Sequence, residues 1–508
     1  MSLSIFISND INELADELCS KVEIVKNNAF VPQQIVIQTR GTNPLLKYKI
    51  AENTGIAANI QFVTPEEIIY NAFKILGGSY KTKIHRQHID WLIYRILGYA
   101  EFKKLFPIQY AYYAGDGGID ALKKWEFSNI LADLFDQYQI YRTSMIGEWN
   151  VIQDIHSLPK DQQWQAYIWK QTKDLTENGI LDMSEIATFI SNALQSNYGR
   201  SNLKAKMPNV NLFGISIVTP LHLRIIYELS QYVDFQWYIN NPSPETFWYE
   251  DISEKEYFFR KLKGKNIEHI SIGNTLLTSW GKVIQNTFRM MFQSDEYINA
   301  ISDLPSQQPT FDTLLSTIQG AIFSNMEQLP AFSSDLLTDG TIQIASNFTI
   351  YRELEGLLNY ILNIIQKNQY GAIKEREIIV MIQDINSYAP YIRAVMDNAP
   401  YKFQYNIADE SISNKDSIIS ALLAILELNT SQFTSENILK LLNFKKIRKK
   451  FDIDNVELIR IAVKKANIHF GIENDFHHNI DDTFIVSWKY GIQKIMFGLC
   501  MSNEQRLE

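Results

Sequence analysis

The sequence predicts an α/β protein with two strand-and-helix units, each joined to a mainly helical segment. The first observation is the stretch from Ile35 to Phe62, where an apolar β-branched run ends in polar residues and Gly41, a helical pattern follows, and a second strand-like run closes the stretch. The second is that strand signals almost vanish between about Ile84 and Tyr198. The third is that they return near residue 205 and again after Gly340.

The first unit begins with a strand at residues 3–7 and a helix from Ile11 to Val25, with Asn9 or Asp10 as a plausible cap. An aromatic-rich segment with a helical pattern then interrupts this alternation of strands and helices. After it, the sequence predicts strands at Val210–Val218 and Phe235–Ile239 with a helix at Leu221–Ser230 between them. We therefore predict one α/β domain from residues 1–83 and 199–335, and a helical insertion at 84–198.

The second unit follows a looser region between Ser294 and Gly340. We expect an α/β domain at residues 336–414 and a mainly helical domain at 415–508. Its predicted strands are Thr341–Ala345 and Glu377–Gln383, and its predicted helices are about Tyr351–Gln366 and Ser387–Met396.

Composition limits the compartment and the mode of nucleic-acid binding. Apolar residues make up 46% of the 508, and the longest apolar runs are far shorter than a membrane span requires. Only Cys19 and Cys500 occur, so no disulfide framework or thiolate metal site is expected, and the start lacks a secretory pattern. We predict a cytoplasmic protein. With a formal charge of −9, any DNA contact has to come from a local basic channel.

Several strings give the sequence a family resemblance. It resembles the amino-terminal half of RecC, the gamma subunit of exodeoxyribonuclease V, and the matching strings occur in the expected order across nearly the whole chain. They are IVIQTRG, GIAANIQF, ADLFDQYQIYR, LFGIS, TSWGK and EIIVMIQDINSYAPYI.

The resemblance implies two superfamily 1 helicase-like domains of the P-loop type that lack the ATP site. It implies a non-catalytic scaffold held between RecB-like and RecD-like subunits, which receives a duplex end and guides the separated DNA strands during recombinational repair. ATP and Mg²⁺ would be bound by the partner subunits, so no cofactor is expected in this chain. No membrane contact is expected.

The residues agree with an inactive motor. The connection after the first strand is only Ser8-Asn9-Asp10, no GxxxxGK[ST] string occurs, and Gly214-Ile215-Ser216 follows the central strand without an acidic pair. The histidines and acidic pairs lack the spacing of a metal site. Two alternatives stay open: an AddB-like nuclease subunit, which would need four cysteines for its iron–sulfur cluster, and an active DNA helicase.

The resemblance also implies a DNA-recognition site. Matching positions in RecC proteins help to form the site that reads the Chi octamer in single-stranded DNA, although Arg40, Pro44, Thr64 and Tyr70 depart from the family pattern. Asp133 and Asp136 are three residues apart, so on a helix they share a face and could accept hydrogen bonds from base amines. Alternatively, Leu134 and Phe135 are core and the acids only solubilise the helix. The matching positions are Gln38, Arg40, Thr64, Tyr70, Asp133, Leu134, Asp136 and Arg142.

A basic run between residues 440 and 451 is the second DNA-binding candidate. Its cations alternate with apolar residues, which predicts an amphipathic helix with a basic outer face. The functional interpretation is a phosphate-contacting edge of a DNA channel. The residues assigned to this edge are Lys445, Lys446, Arg448 and Lys449.

Overall fold

The computed structural model describes residues 3–22, 32–39, 41–115, 117–177, 179–264, 270–293, 298–367, 373–408, 417–473 and 485–501. The chain divides into two compact units, Met1–Gln343 and Ile344–Glu508. None of the described helices is both long enough and apolar enough to span a membrane.

Ten strands are described, all of them in the first unit. They are β1 Leu3–Ser8, β2 Gln33–Ile37, β3 Ile60–Val63, β4 Thr82–Lys83, β5 Ala114–Gly115, β6 Gly118–Ile119, β7 Ile180–Leu181, β8 Asn209–Phe213, β9 Asp234–Asn240 and β10 Ile298–Asp303.

The helices of the first unit cover the sheet and build the insertion. They are α1 Ile11–Lys21, α2 Thr42–Thr54, α3 Pro65–Ile75, α4 Arg86–Ile96, α5 Ala100–Leu105, α6 Pro107–Ala111, α7 Ala121–Tyr141, α8 Thr143–Val151, α9 Lys160–Leu175, α10 Met183–Ala193, α11 Asn197–Lys206, α12 Pro220–Ser230, α13 Glu254–Leu262, α14 Thr275–Trp280, α15 Lys282–Phe292, α16 Leu314–Phe323 and α17 Ser334–Leu337.

Six strands form one parallel sheet in the order β10-β1-β9-β8-β2-β3. Side chains of β1 alternate between two cores: Leu3 and Ile5 pack with α3 and α12 on one face, while Phe6 packs with α1 and α2 on the other. Because both faces are covered, the inner strands are mostly apolar, as is typical of parallel sheets, although Gln34 and Asn211 are also buried there.

The helical insertion has its own core between β3 and β8 in the sequence. Trp149, Trp169 and Phe135 are fully buried in this core, and their rings meet edge to face. A polar chain fastens the insertion to α10: the Trp169 indole donates to Asn150 at 2.9 Å, and the Asn150 amide donates to the fully buried Asp182 at 2.9 Å.

The described helices of the second unit are α18 Ile350–Lys367, α19 Ile385–Met396, α20 Ser417–Glu427, α21 Ser435–Leu441, α22 Lys445–Lys450, α23 Val456–Lys465 and α24 Trp488–Cys500. A small core joins α18 to α19 through Leu354 and Ile392, and a second one lies around Val463. The helices predicted at Tyr351–Gln366 and Ser387–Met396 are confirmed.

The predicted strands at Thr341–Ala345 and Glu377–Gln383 are wrong. Both segments are irregular chain, and Ile344 and Met381 are almost fully exposed. A strand requires a neighbour for its backbone groups, and no strand is formed in the described part of this unit. The assignment of residues 336–414 as a second helicase-like domain therefore stays a prediction.

Two further predictions differ from the structure in the first unit. Strand β10 lies in the region predicted to be loose, and it forms because β1 offers a free edge for parallel pairing. The strand predicted at Val210–Val218 ends at Phe213, because Gly214 takes a left-handed conformation with φ of 63°. Helix α1, predicted to reach Val25, ends at Lys21 with Val22 as its C-cap, and residues 23–25 lie outside the described residues.

Candidate nucleic-acid interface

The carboxyl ends of the parallel strands meet at one edge of the main sheet, where ligands bind in open α/β sheets. Gln38 follows β2 and Thr64 follows β3, and these strands are direct neighbours with Val36 opposite Val63. The structure therefore brings Gln38 and Thr64 together at this edge. Gln38 is exposed. Arg40 lies outside the described residues.

Thr64 begins helix α3 with a reciprocal cap. Its hydroxyl accepts from the Glu67 backbone N–H at 3.3 Å, and the Glu67 carboxylate accepts from the Thr64 N–H at 2.7 Å. The Thr64 hydroxyl therefore has a structural task in this chain. A bound base could meet its methyl group or its remaining lone pair.

Tyr70 lies two turns along α3, in a groove of about 560 Å³ that Thr64 also lines. The Lys74 ammonium stands 4.4 Å from the centre of the Tyr70 ring, and the Tyr70 hydroxyl donates to the Lys81 carbonyl at 3.4 Å. Lys83 lines the same groove and pairs with Glu66. The groove thus combines an aromatic ring with two cations and with the carboxylates of Glu66 and Glu67.

Helix α7 carries the other predicted residues. The predicted helix is confirmed, and Asp133 is exposed while Leu134 and Asp136 are half-buried. Leu134 packs against the insertion core, as does the fully buried Phe135. Arg142 caps the carboxyl end of α7, where its guanidinium lies 5.5 Å from the centre of the Tyr138 ring.

Asp133 has a partner that the sequence did not indicate. The Arg86 Nε on α4 lies 2.6 Å from the Asp133 carboxylate. Asp90, one turn further along α4, is buried, and desolvation raises the pKa of its carboxyl group against the opposing effect of Arg86. The sequence carries no signal for this pair, because Arg86 and Asp133 lie on helices that are far apart in the sequence.

Helix α12 connects the residues at the sheet edge and on α3 with those on α7. This helix begins at Pro220, at the carboxyl edge of the sheet, and contacts both α3 and α7. Its His222 lies near Glu66 and Lys83, and burial lowers the pKa of the His222 imidazole. His222 was not singled out from the sequence, because a lone histidine in an apolar helix carries no pattern.

The basic run in the second unit forms a short helix, α22. The predicted single helix is interrupted, because α21 ends at Leu441 and α22 begins at Lys445. Lys445, Lys446 and Lys449 are exposed. Arg448 is half-buried, and its Nε atom has no hydrogen-bond partner among the described residues. Three lysines are therefore accessible to phosphate groups.

No group of three histidine, cysteine or carboxylate side chains converges as a metal site in the described ranges. The described arrangement offers hydrogen-bonding groups, aromatic rings and cations on a sheet edge and on exposed helices. Such a combination is suited to binding single-stranded nucleic acid.

Comparison with known proteins gives one family. Residues 3–325 match the family model "RecC, N-terminal domain", and residues 415–508 match "RecBCD enzyme subunit RecC fourth domain". The RecBCD enzyme subunit RecC of Haemophilus influenzae is 24% identical over 99% of the chain and 49% of its own length. The subunit from Escherichia coli K12 is 25% identical over 94% of the chain and 46% of its length. The chain spans about half the length of the curated relatives it matches.

Proposed function

The chain belongs to the RecC family, and from this we propose that it is a non-catalytic, DNA-guiding part of a RecBCD-type helicase–nuclease. Relatives are named as subunits of the RecBCD enzyme, so the proposed partners are RecB-like and RecD-like subunits. The proposed substrates are duplex DNA ends and the single strands released from them, during recombinational repair in the cytoplasm. ATP and Mg²⁺ would be bound by the partners. The family match favours this role over an AddB-like subunit.

The connection after β1 supports a silent motor. A P-loop motor needs free backbone amides and a lysine at this position. Here the Asp10 carboxylate accepts from the Asn12 N–H at 2.8 Å, and so places a negative charge at the start of α1. Ser8 and Asn9 donate to the carbonyls of Pro305 and Gln307 at 2.8 and 2.7 Å. A crossing segment thus occupies the space beside these amides, which disfavours a triphosphate and an active helicase.

The observation that carries the proposed recognition site is the row of polar groups on α7. Asp133 and Asp136 share one helix with Leu134, and Arg142 stands at its end. Carboxylates accept hydrogen bonds from the exocyclic amines of unpaired bases, and a guanidinium donates to bases or phosphates. We propose that this recognition row and Gln38 respond to a Chi-like signal in single-stranded DNA.

The Asp133–Arg86 pair adds a constraint to this proposal. Both side chains are about half exposed, at 55% and 44%, so the pair contributes little to stability and can open. A base amine that takes the Asp133 carboxylate would release Arg86 to donate elsewhere. The pair therefore presents a hydrogen-bond acceptor and a donor next to each other. This arrangement suits the edge of a base that also carries both a donor and an acceptor.

The test uses the full helicase–nuclease complex containing this subunit. DNA of random sequence is unwound, and the positions where cutting changes are mapped for the parent and for Asp136→Ala and Gln38→Ala. We expect an altered or lost sequence response with the unwinding rate intact. Glu148→Ala, which removes an exposed acid from α8, is the matched control. An unchanged response in both site variants would contradict the recognition row.

A further inference from the structure

Helices α4 and α7 pack against each other in antiparallel directions. Arg86 at the start of α4 pairs with Asp133 in the middle of α7. About two helical turns away, Trp91 and Tyr94 meet Trp125, with ring centres 4.4 and 5.9 Å apart. Contacts at both ends therefore fix the register of the two helices over most of α4.

This register places an aromatic cluster in line with the recognition row. Trp125, Asn129, Asp133 and Asp136 are spaced by four, four and three residues, so they lie along one face of α7. The rise of an α-helix puts Trp125 about 12 Å from Asp133. A strand that lies along α7 over the carboxylates would therefore continue over the aromatic rings.

In this cluster an exposed ring packs on two half-buried rings. Trp91 is 63% exposed, whereas Trp125 and Tyr94 behind it are half-buried. The Lys124 ammonium lies 4.2 Å from the centre of the Tyr94 ring, and burial lowers the pKa of the Lys124 amine. One side of the Trp91 indole thus rests on packed rings while a large part of its surface faces solvent.

The surroundings of the cluster are polar and include cations. Arg95 is exposed on α4, four residues after Trp91 and on the same face, and Glu126 is exposed on α7 next to Trp125. Asp90, which immediately precedes Trp91, is 91% removed from solvent, and its Oδ1 atom has no hydrogen-bond partner among the described residues. This oxygen is closed to solvent, so it is not itself a contact for a ligand.

We propose that Trp91, Tyr94 and Trp125 form a stacking platform that holds a base of single-stranded DNA beside the recognition row. This inference rests on the proposed function, because it requires a DNA strand on α7. Every base has a face that can stack on tryptophan, so the platform binds without sequence preference, and the exposed Arg95 on the same face of α4 as Trp91 attracts the backbone. It would hold the strand in place while the carboxylates of α7 meet the next bases.

The test measures binding of a fluorescent oligothymidylate to the full 508-residue chain over a range of salt concentrations. Trp91→Ala is expected to raise Kd by about 5- to 100-fold, since stacking of one base is lost. Trp91→Phe is expected to recover much of the affinity. The slope of log K against log salt stays unchanged in both, because no charge is removed. Tyr198→Ala, which removes an aromatic side chain 81% exposed on α11, is the control and is expected to bind like the parent.

The outcomes separate this inference from the proposed function. If the parent chain does not bind the oligonucleotide, both are overturned. If the parent binds and Trp91→Ala has the parental Kd, only the platform is overturned. A variant that binds DNA normally but loses a subunit of the complex shows the cluster to be a protein interface, which also overturns the platform. Equal thermal unfolding of parent and Trp91→Ala, together with recovery by Trp91→Phe, excludes a folding defect as the cause of weaker binding.

Discussion

The two units of the chain bury their apolar side chains to very different extents. Among the described residues, the largest fully buried side chains, such as Trp149, Phe235 and Trp237, all lie in the first unit. In the second unit, Ile379 and Met381 are 83% and 92% exposed in irregular chain beside a cavity of about 980 Å³. The difference follows from the backbone. In the first unit, helices pack against both faces of a parallel sheet, whereas the described part of the second unit contains helices but no strand.

This contrast indicates where stability resides. Burial of apolar surface is the main favourable contribution to folding, and a small core offers little of it. The first unit should therefore determine the main unfolding transition of the chain, and the second unit should open more easily. The proposed function places sequence recognition on the first unit and general phosphate contact on the basic helix of the second.

The largest effect is expected for truncation in the sheet. Phe235→Ala in β9 removes a side chain that is 1% exposed, and should lower the free energy of unfolding of the first unit by about 3–5 kcal/mol. Ile379→Ala in the second unit should change stability by less than about 0.5 kcal/mol, because its side chain is already in water. Urea titration followed by tryptophan fluorescence measures both. A comparable loss in Ile379→Ala would break the comparison.

The next prediction assigns affinity for DNA to the second unit. Replacing Lys445, Lys446, Arg448 and Lys449 by serine should reduce the slope of log K against log salt for duplex DNA. The three exposed lysines account for a loss of about 2.7 in that slope, at roughly 0.9 per phosphate contact. Arg448 should add less, since its side chain is half-buried.

The control for this prediction is the double replacement of Lys464 and Lys465 by serine on α23 of the same unit. If the control reduces the slope as much per lysine, the effect reflects total charge and not a phosphate-contacting edge. An unchanged slope in the α22 variant would show that the basic run is only a solvated helix face. The sequence response of the complex should persist in both variants, because α7 belongs to the first unit.

The sequence predicted the inner strands of the first sheet because their signal is local. The run IVI of β2 and the run VNLF of β8 are buried on both faces, and strands of this kind are mostly apolar. Strand β10 was missed because it lies at the sheet edge, where Ile301 is 48% exposed and the apolar signal is weak. The strands predicted in the second unit were wrong for the converse reason: their apolar text is present, but the described residues provide no neighbouring strand.

For the candidate interface, the sequence predicted the features that depend on the geometry of a single helix. Asp133 and Asp136 were placed on a common helix by their spacing, and α7 confirms that helix. Their surroundings required tertiary structure, because Arg86 and Trp91 reach α7 only through the packing of α4. The capping role of Thr64 was readable in principle, since Thr64 and Glu67 have the spacing of a capping box.

The smallest expected effect is on the pH dependence of stability. It tests whether water is excluded from His222, where α12 lies between the sheet and the insertion. Burial lowers the pKa of His222 below its usual 6.5, and Glu66 opposes that effect. The unfolded chain therefore binds a proton at His222 more readily than the folded chain does. The stability linked to His222 is complete above about pH 6.5 and declines as the pH falls below that value.

His222→Gln should remove this part of the decline, so parent and variant diverge between pH 6.5 and 5 and run parallel above pH 7 in urea titrations. His469→Gln, at an exposed position of the second unit, is the matched control for the loss of a histidine side chain. Glu66→Gln should steepen the decline, because it removes the carboxylate that favours the imidazolium. If His222→Gln and the parent lose stability in parallel down to pH 5, water reaches His222 and the packing at this junction is looser than its burial indicates.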